Sequence, residues 1–323
     1  MVRSVIVPEG YDEIGPFAER AEELGYERLW IGELWGRDAF VALTEAAQLT
    51  SDIDLGTAIV NVYGRSPATL AQAAASLDAE ASGRVVLGVG TSTPKAIEDL
   101  HGVPFENPPR RLHETVELSR AFLQEDGRVE YEGEVFEVAD FPALDADVPV
   151  YAAALGSANR RATGRTADGW IPHNIPFDHL DDAFETIAET ASDAGRDPDA
   201  IQTAPYVPAA VSEDADAAYE RVAAHLAYYV GSGEGYRNAV AQAFPDAADA
   251  VAEAWREGDR DAAREAVTQE MIDALGVAGT PEEAREKLDD VEAIDAIDES
   301  ILVVPAGTGE EITRTTVAEL APR

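Results

Sequence analysis

Hydroxyl, amide and carboxylate side chains in this chain gather at the ends of short apolar runs, where a turn presents them to a ligand. Val85-Val86-Leu87-Gly88-Val89-Gly90 stops abruptly at Thr91-Ser92-Thr93, and Pro94 then opens a helix-like segment to Leu100. Gly90, Thr91, Ser92 and Thr93 bring a tight turn, three hydroxyls and the free N–H groups of a helix start. That set suits the oxygens of a bound molecule. Leu29-Trp30-Ile31-Gly32 runs into Glu33, an acid placed to handle a proton, and Gly56-Thr57-Ala58-Ile59-Val60 runs into Asn61. Ala154-Leu155-Gly156-Ser157 precedes a helix carrying Arg160 and Arg161, again offering unpaired N–H groups to carbonyl or phosphate oxygens. His173 and Asn174 end a further apolar run and are the candidates to face a substrate.

Each of these has a plain structural reading beside the chemical one. Gly88-Val89-Gly90 lacks the third glycine of a dinucleotide fingerprint, and its glycines serve equally to make a tight turn. Arg160 and Arg161 also read as a solvated helix face, Asn61 as a turn residue, and a lone histidine as a structural one. What favours chemistry is that so many such endings follow strands.

The elements that must position them alternate. Strands are expected at Arg3 to Val7, Glu27 to Ile31, Ile53 to Asn61 and Arg84 to Val89. The helices between them run from Pro16 to Leu24, Ala39 to Leu49 and Pro67 to Leu77, with prolines at two starts and Gly25 as a stop. Helices at Pro94 to Leu100 and Arg110 to Leu123 follow. The rhythm breaks once, at Arg128 to Val138, which alternates around Glu132-Gly133-Glu134 as a β-hairpin. It resumes with strands Val148 to Ala153 and Gly169 to Pro172 and helices Ala158 to Arg165 and Leu180 to Ala194. Ile201 to Val211 and Ser300 to Val304 are the last two strands, separated by a helical insertion over about 214–276 and a helix at Pro281 to Leu288. Eight strand positions describe a single α/β domain over 1–323. It is a (β/α)8 TIM barrel with a β-hairpin after the fourth unit and a helical insertion before the last strand. An open doubly wound sheet is the alternative. In either fold, ligands sit at the carboxyl ends of the strands.

Composition narrows the function. Apolar residues are 46% of 323, enough for a large core. Acids number 63 against 24 bases, a formal net charge of −39, and Lys95 and Lys287 are the only lysines. Such an excess suits a halophilic setting: at about 1 M salt the screening length is roughly 3 Å, which blunts self-repulsion. It excludes nucleic acid as a partner, because no basic stripe is present. Without cysteine there are no disulfides, thiolate metal sites or cysteine nucleophiles. No apolar run reaches membrane-spanning length and Met1 to Gly10 is short for a secretory signal, so the expectation is a cytoplasmic protein with no membrane partner.

Taken in order along the chain, several segments resemble the bacterial luciferase-like family, in the branch that uses the deazaflavin coenzyme F420. They are Leu29-Trp30-Ile31-Gly32-Glu33, Gly36-Arg37-Asp38-Ala39-Phe40, Leu55 to Tyr63, Ser82 to Gly90, Tyr131-Glu132-Gly133, Ala167-Asp168-Gly169-Trp170 and Val277-Ala278-Gly279-Thr280-Pro281-Glu282-Glu283. Within that branch the chain is most similar to the methylenetetrahydromethanopterin reductases, including the insertion before the last strand.

The resemblance implies an oxidoreductase that moves a hydride between coenzyme F420 and a small organic substrate, such as a methylene-tetrahydropterin or folate. It implies a non-proline cis peptide at Ala58-Ile59 against the back of the ring, with Gly90 to Thr93 bordering it. It also implies Glu33 as an acid near the cofactor, and a homodimer. No metal is implied. Two positions depart from the methanopterin reductases, which carry acids where Val5 and Thr93 stand here. Two other readings compete: an FMN-dependent luciferase-like monooxygenase, and a non-catalytic barrel that merely holds a flavin.

Overall fold

A computed structural model describes every residue except Trp35 and Asp126. Strand β1 (Val2–Ile6), helix α1 (Ile14–Glu23), β2 (Arg28–Ile31), α2 (Ala39–Leu49), β3 (Asp54–Thr57), β4 (Val60–Asn61), α3 (Pro67–Glu80) and β5 (Val85–Gly90) open the chain. Next come α4 (Pro108–Gln124), the antiparallel pair β6 (Arg128–Glu132) and β7 (Glu137–Pro142), β8 (Val150–Ala153), α5 (Ser157–Thr166), β9 (Gly169–Ile171) and α6 (Leu180–Asp193). After β10 (Gln202–Thr203) and β11 (Tyr206–Val211) the chain makes five consecutive helices. These are α7 (Ala215–Ser232), α8 (Glu234–Val240), α9 (Pro245–Glu257), α10 (Arg260–Glu265) and α11 (Gln269–Leu275). It finishes with β12 (Val277–Gly279), α12 (Pro281–Glu292), β13 (Glu299–Val303) and α13 (Glu310–Glu319).

Helix starts obey local chemistry. Asp38 accepts from the N–H groups of Phe40 and Val41 at the head of α2, and Ser66 with Pro67 opens α3. Thr280 and Glu283 form a reciprocal capping box on α12.

The main sheet is parallel, in the order β10-β9-β8-β5-β3-β2-β1-β13-β11-β12, with β4 also on β5. β10 and β11 are two pieces of one run, parted at Ala204 and Pro205, where proline has no N–H for a ladder. The first piece pairs with β9 and the second with β13. The run thus starts at one end of the ladder and returns near the other, with only β12 beyond it, and the sheet curls around an interior of Ile6, Trp30, Ala58, Val86, Tyr151, Ile171, Ile301 and Val303. At its base the Trp30 indole N–H donates to Glu299 Oε1 at 2.7 Å, and Arg28 pairs with the same carboxylate. A second, larger core lies between sheet and helices, and the five consecutive helices carry a third of their own.

Three expectations are corrected. The strand expected over 53–61 is broken into β3 and β4 by a cis peptide bond between Ala58 and Ile59. The helix expected over 94–100 is a π-helix over Ala96–His101, a form found as short pieces and often at functional sites. Val277–Gly279, not expected as a strand, pairs with β11; three residues are too few to show alternation.

Candidate active site

Register, rather than sequence, builds the site. Asn61 lies beside Gly90, Gly90 beside Ala153, and Ala153 beside Ile171, one row across β4, β5, β8 and β9. The loops carrying Thr91 to Thr93, Ala154 to Ser157, and His173 with Asn174 all leave from that row. The strands are parallel, so these loops share one edge.

Gly90 shows how closely the row is packed. A Cβ there would sit 3.1 Å from the Ile59 side chain and 3.2 Å from Ala153 Cβ. The absent side chain lets Ile59, just past the cis bond, lie over the β5 terminus. A Cβ on Gly32 would come 3.1 Å from the Ala58 carbonyl, so β2 closes on the same peptide from the other side. The Tyr206 hydroxyl donates to that carbonyl from across the interior. Three elements, β5, β2 and β11, therefore hold one peptide unit.

The expected side chains divide by what they touch. Asn61, 3% exposed, turns into its own loop: its Oδ1 accepts from the N–H groups of Tyr63 at 3.0 Å and Gly64 at 2.6 Å. Its Nδ2 meets His101 Nε2 at 3.0 Å, tying the third loop to the π-helix. Glu33 accepts from Arg65 at 2.6 and 3.0 Å and from the Ala39 N–H at 2.9 Å, so both its oxygens are engaged. Asp38 takes the same guanidinium, whose pKa is raised chiefly by the hydrogen bond to Glu33. Ser92 adopts φ +57°, Thr93 Oγ1 accepts from the Ala96 N–H, and Gly156 precedes α5 with no side chain capping its first N–H groups.

His173 is 8% exposed and its Nε2 lies 3.3 Å from Nε2 of His225 on α7. Three tyrosine rings surround it, with centroids at 4.8 Å for Tyr206, 4.3 Å for Tyr229 and 5.4 Å for Tyr236. Burial, with His225 adding to it, holds the His173 pKa well below the imidazole range, and burial takes His225 down to about 3. Burial likewise pushes the phenols of Tyr206 and Tyr229 up and that of Tyr236 to about 12. Both imidazoles are neutral near pH 7. Beside them Asn174, 4% exposed and at φ +57°, has no hydrogen-bond partner on either amide atom. A buried amide pays for that unless a ligand satisfies it.

Tyr206, His225, Tyr229 and Tyr236 are not among the residues expected from the sequence. The available signal is His225 and Tyr229 at i and i+4, which places both on one face of α7. The four come from β11, α7 and α8, and no local pattern links them to His173. A separate cavity of about 280 Å3 includes Arg3, Glu292, Arg285 and Glu319 in its lining, beside the start of β1. Arg3 and Arg285 there are already paired with Glu292 and Glu319, and the cavity lies apart from the row.

This edge gathers small residues, hydroxyls and free N–H groups on several loops, and comparison with known proteins gives the family. Residues 3–296 match the family model for luciferase-like monooxygenases. The chain belongs to this bacterial luciferase-like family. It is 31% identical over 294 residues to 5,10-methylenetetrahydromethanopterin reductase of Methanopyrus kandleri, covering 84% of this chain and 83% of that one. The corresponding enzyme of Archaeoglobus fulgidus is 29% identical over 291 residues, covering 87% and 86%. The solved coenzyme F420-dependent tetrahydromethanopterin reductase from M. kandleri superimposes with a TM-score of 0.83 at 27% identity, over 99% of this chain and 97% of that one.

Proposed function

We propose that this chain is a coenzyme F420-dependent oxidoreductase acting on a small organic substrate, with a methylene-tetrahydropterin as the substrate class. Similarity to reductases of that cofactor over most of both chains supports the reading, as does a putative coenzyme F420-dependent oxidoreductase of Mycobacterium tuberculosis at 26% identity over 323 residues. The curled sheet is read as a (β/α)8 barrel with the hairpin β6–β7 and the helices α7–α11 as insertions.

The residues fit such a cofactor. The observation that carries the reading is the row Asn61–Gly90–Ala153 with Ile59 laid over it, a small-residue bed backed by one held peptide. The unpartnered amide of Asn174 suits the edge of a substrate with adjacent N–H and C=O groups, which a pterin has. When bound, the deazaflavin supplies hydride transfer at C5.

The chain's own residues do the rest. Ala58 and Ile59 back the ring, while the loop Thr91, Ser92 and Thr93 and the N–H groups of Ala154, Leu155, Gly156 and Ser157 hold its oxygens. His173 and Asn174 face the substrate. Glu33, braced by Arg65, fixes the second loop and the charge beside the ring. Orientation of two flat partners and exclusion of water supply the rate.

Titration of the protein in concentrated KCl tests this, with F420 and FMN in parallel and F420 fluorescence as readout. Preferential F420 binding and reduction of methylene-tetrahydromethanopterin by reduced F420 are expected. Tight FMN binding with oxygen-dependent turnover overturns the reading in favour of a monooxygenase.

A further inference from the structure

Glu33 is held as the acceptor of an ion pair, its Oε1 on Arg65 and its Oε2 on Arg65 and the Ala39 N–H. Reduction of a carbon–nitrogen linkage by hydride nonetheless needs one proton on the departing nitrogen. The buried imidazoles at this edge are His173 and His225, joined Nε2 to Nε2 at 3.3 Å.

We infer that His173 is the proton-transfer residue of this site and that His225, carried in by α7, is its positioning and relay partner. The inference rests on the oxidoreductase reading and adds the residues that handle its proton.

The geometry dictates the tautomers. Two neutral imidazoles meeting at Nε2 form a hydrogen bond only if one Nε2 carries hydrogen and the other does not. In the donating direction His225 carries Nε2–H and His173 carries Nδ1–H. His173 then gives its Nδ1 proton to the substrate nitrogen and takes the Nε2 proton of His225, whose Nδ1 takes one from solvent. Each ring ends as its other tautomer. One proton moves, no electrons do, and no imidazolium has to persist in a buried place. The reverse sequence serves substrate oxidation. Tyr206 fixes the His173 ring from one side while its hydroxyl is committed to the Ala58 carbonyl, and Tyr229 and Tyr236 pack edge-on from the others. The charged group facing this cluster from the first loop is Glu9, which acts on Tyr229.

The test begins on the protein alone in concentrated KCl, by nitrogen-15 NMR of the imidazoles at pH 7. Expected are two neutral rings with complementary tautomers at Nε2, and, in His225→Gln, a His173 that remains neutral. Two Nε2–H tautomers, or a doubly protonated ring, overturn the inference. With reduced F420 and methylene-tetrahydromethanopterin as probes, His225→Gln keeps a hydrogen-bonding group but cannot relay. It should lower kcat about 100-fold with KM within about twofold. An unchanged kcat, or a loss carried wholly by KM, overturns it. Failure of F420 to bind the wild-type protein strikes the oxidoreductase reading instead, and leaves the tautomers to decide the pair.

Discussion

Acidification reports directly on the buried histidines. In the unfolded chain an imidazole takes a proton near pH 6.5, whereas folded His225 does so only near pH 3. The folded pKa is depressed, so below pH 6.5 the unfolded state binds more protons and stability falls as pH drops; above pH 6.5 the contribution is complete and flat. From pH 7 to pH 5 the loss from His225 alone is about 2 kcal/mol at 1.36 kcal/mol per unit. His173 adds to it in the same direction. The surface acids oppose this, since protonating any of them relieves self-repulsion, so the wild-type curve alone is ambiguous. The difference between wild type and His225→Gln isolates the effect, because surface charge is common to both and burial, the larger cause, keeps the His173 pKa depressed in each. Urea unfolding at fixed KCl, followed by tryptophan fluorescence at pH 7, 6 and 5, measures it. The stability difference should shift by about 2 kcal/mol in favour of the variant on going to pH 5. A difference constant to within about 0.5 kcal/mol would show that folded His225 takes its proton as readily as in the unfolded chain, and would refute the buried, depressed imidazole on which the pair is argued.

Other perturbations follow from the same geometry. Tyr206→Phe leaves the Ala58 carbonyl without its side-chain donor and should destabilise by about 1–3 kcal/mol in urea unfolding. Gly90→Ala forces Ile59 away from a contact of 3.1 Å. It should cost about 1–2 kcal/mol and weaken F420 binding about tenfold by fluorescence titration. Glu33→Gln strands the Arg65 guanidinium between an amide and Asp38, for about 1–2 kcal/mol in the same unfolding assay. Raising KCl from dilute buffer to about 2 M should raise Tm steadily, because the charge of −39 is screened; a Tm indifferent to salt would remove the halophilic reading.

Much of the scaffold is legible residue by residue. The start of α2 follows from Asp38, that of α3 from Ser66-Pro67, and that of α12 from Thr280 and Glu283, all bonds made within four positions along the chain. The ends of apolar runs likewise mark Gly90, Ala154 and His173 as loop starts. The interruption at Ala58 and Ile59 is different. Both residues suit a strand, and the bond is expected there through family resemblance alone.

The amino-acid order by itself thus determined where helices begin, which strands end in polar loops, and that the surface is overwhelmingly acidic, because those properties depend on near neighbours or on simple sums. Tertiary structure decided the rest. Only strand register sets Asn61, Gly90, Ala153 and Ile171 in one row, and only the packing of α7 against the sheet brings His225 to His173 from 52 positions away. Contacts of that span are chosen by burial and shape across the whole fold, and no local pattern encodes them.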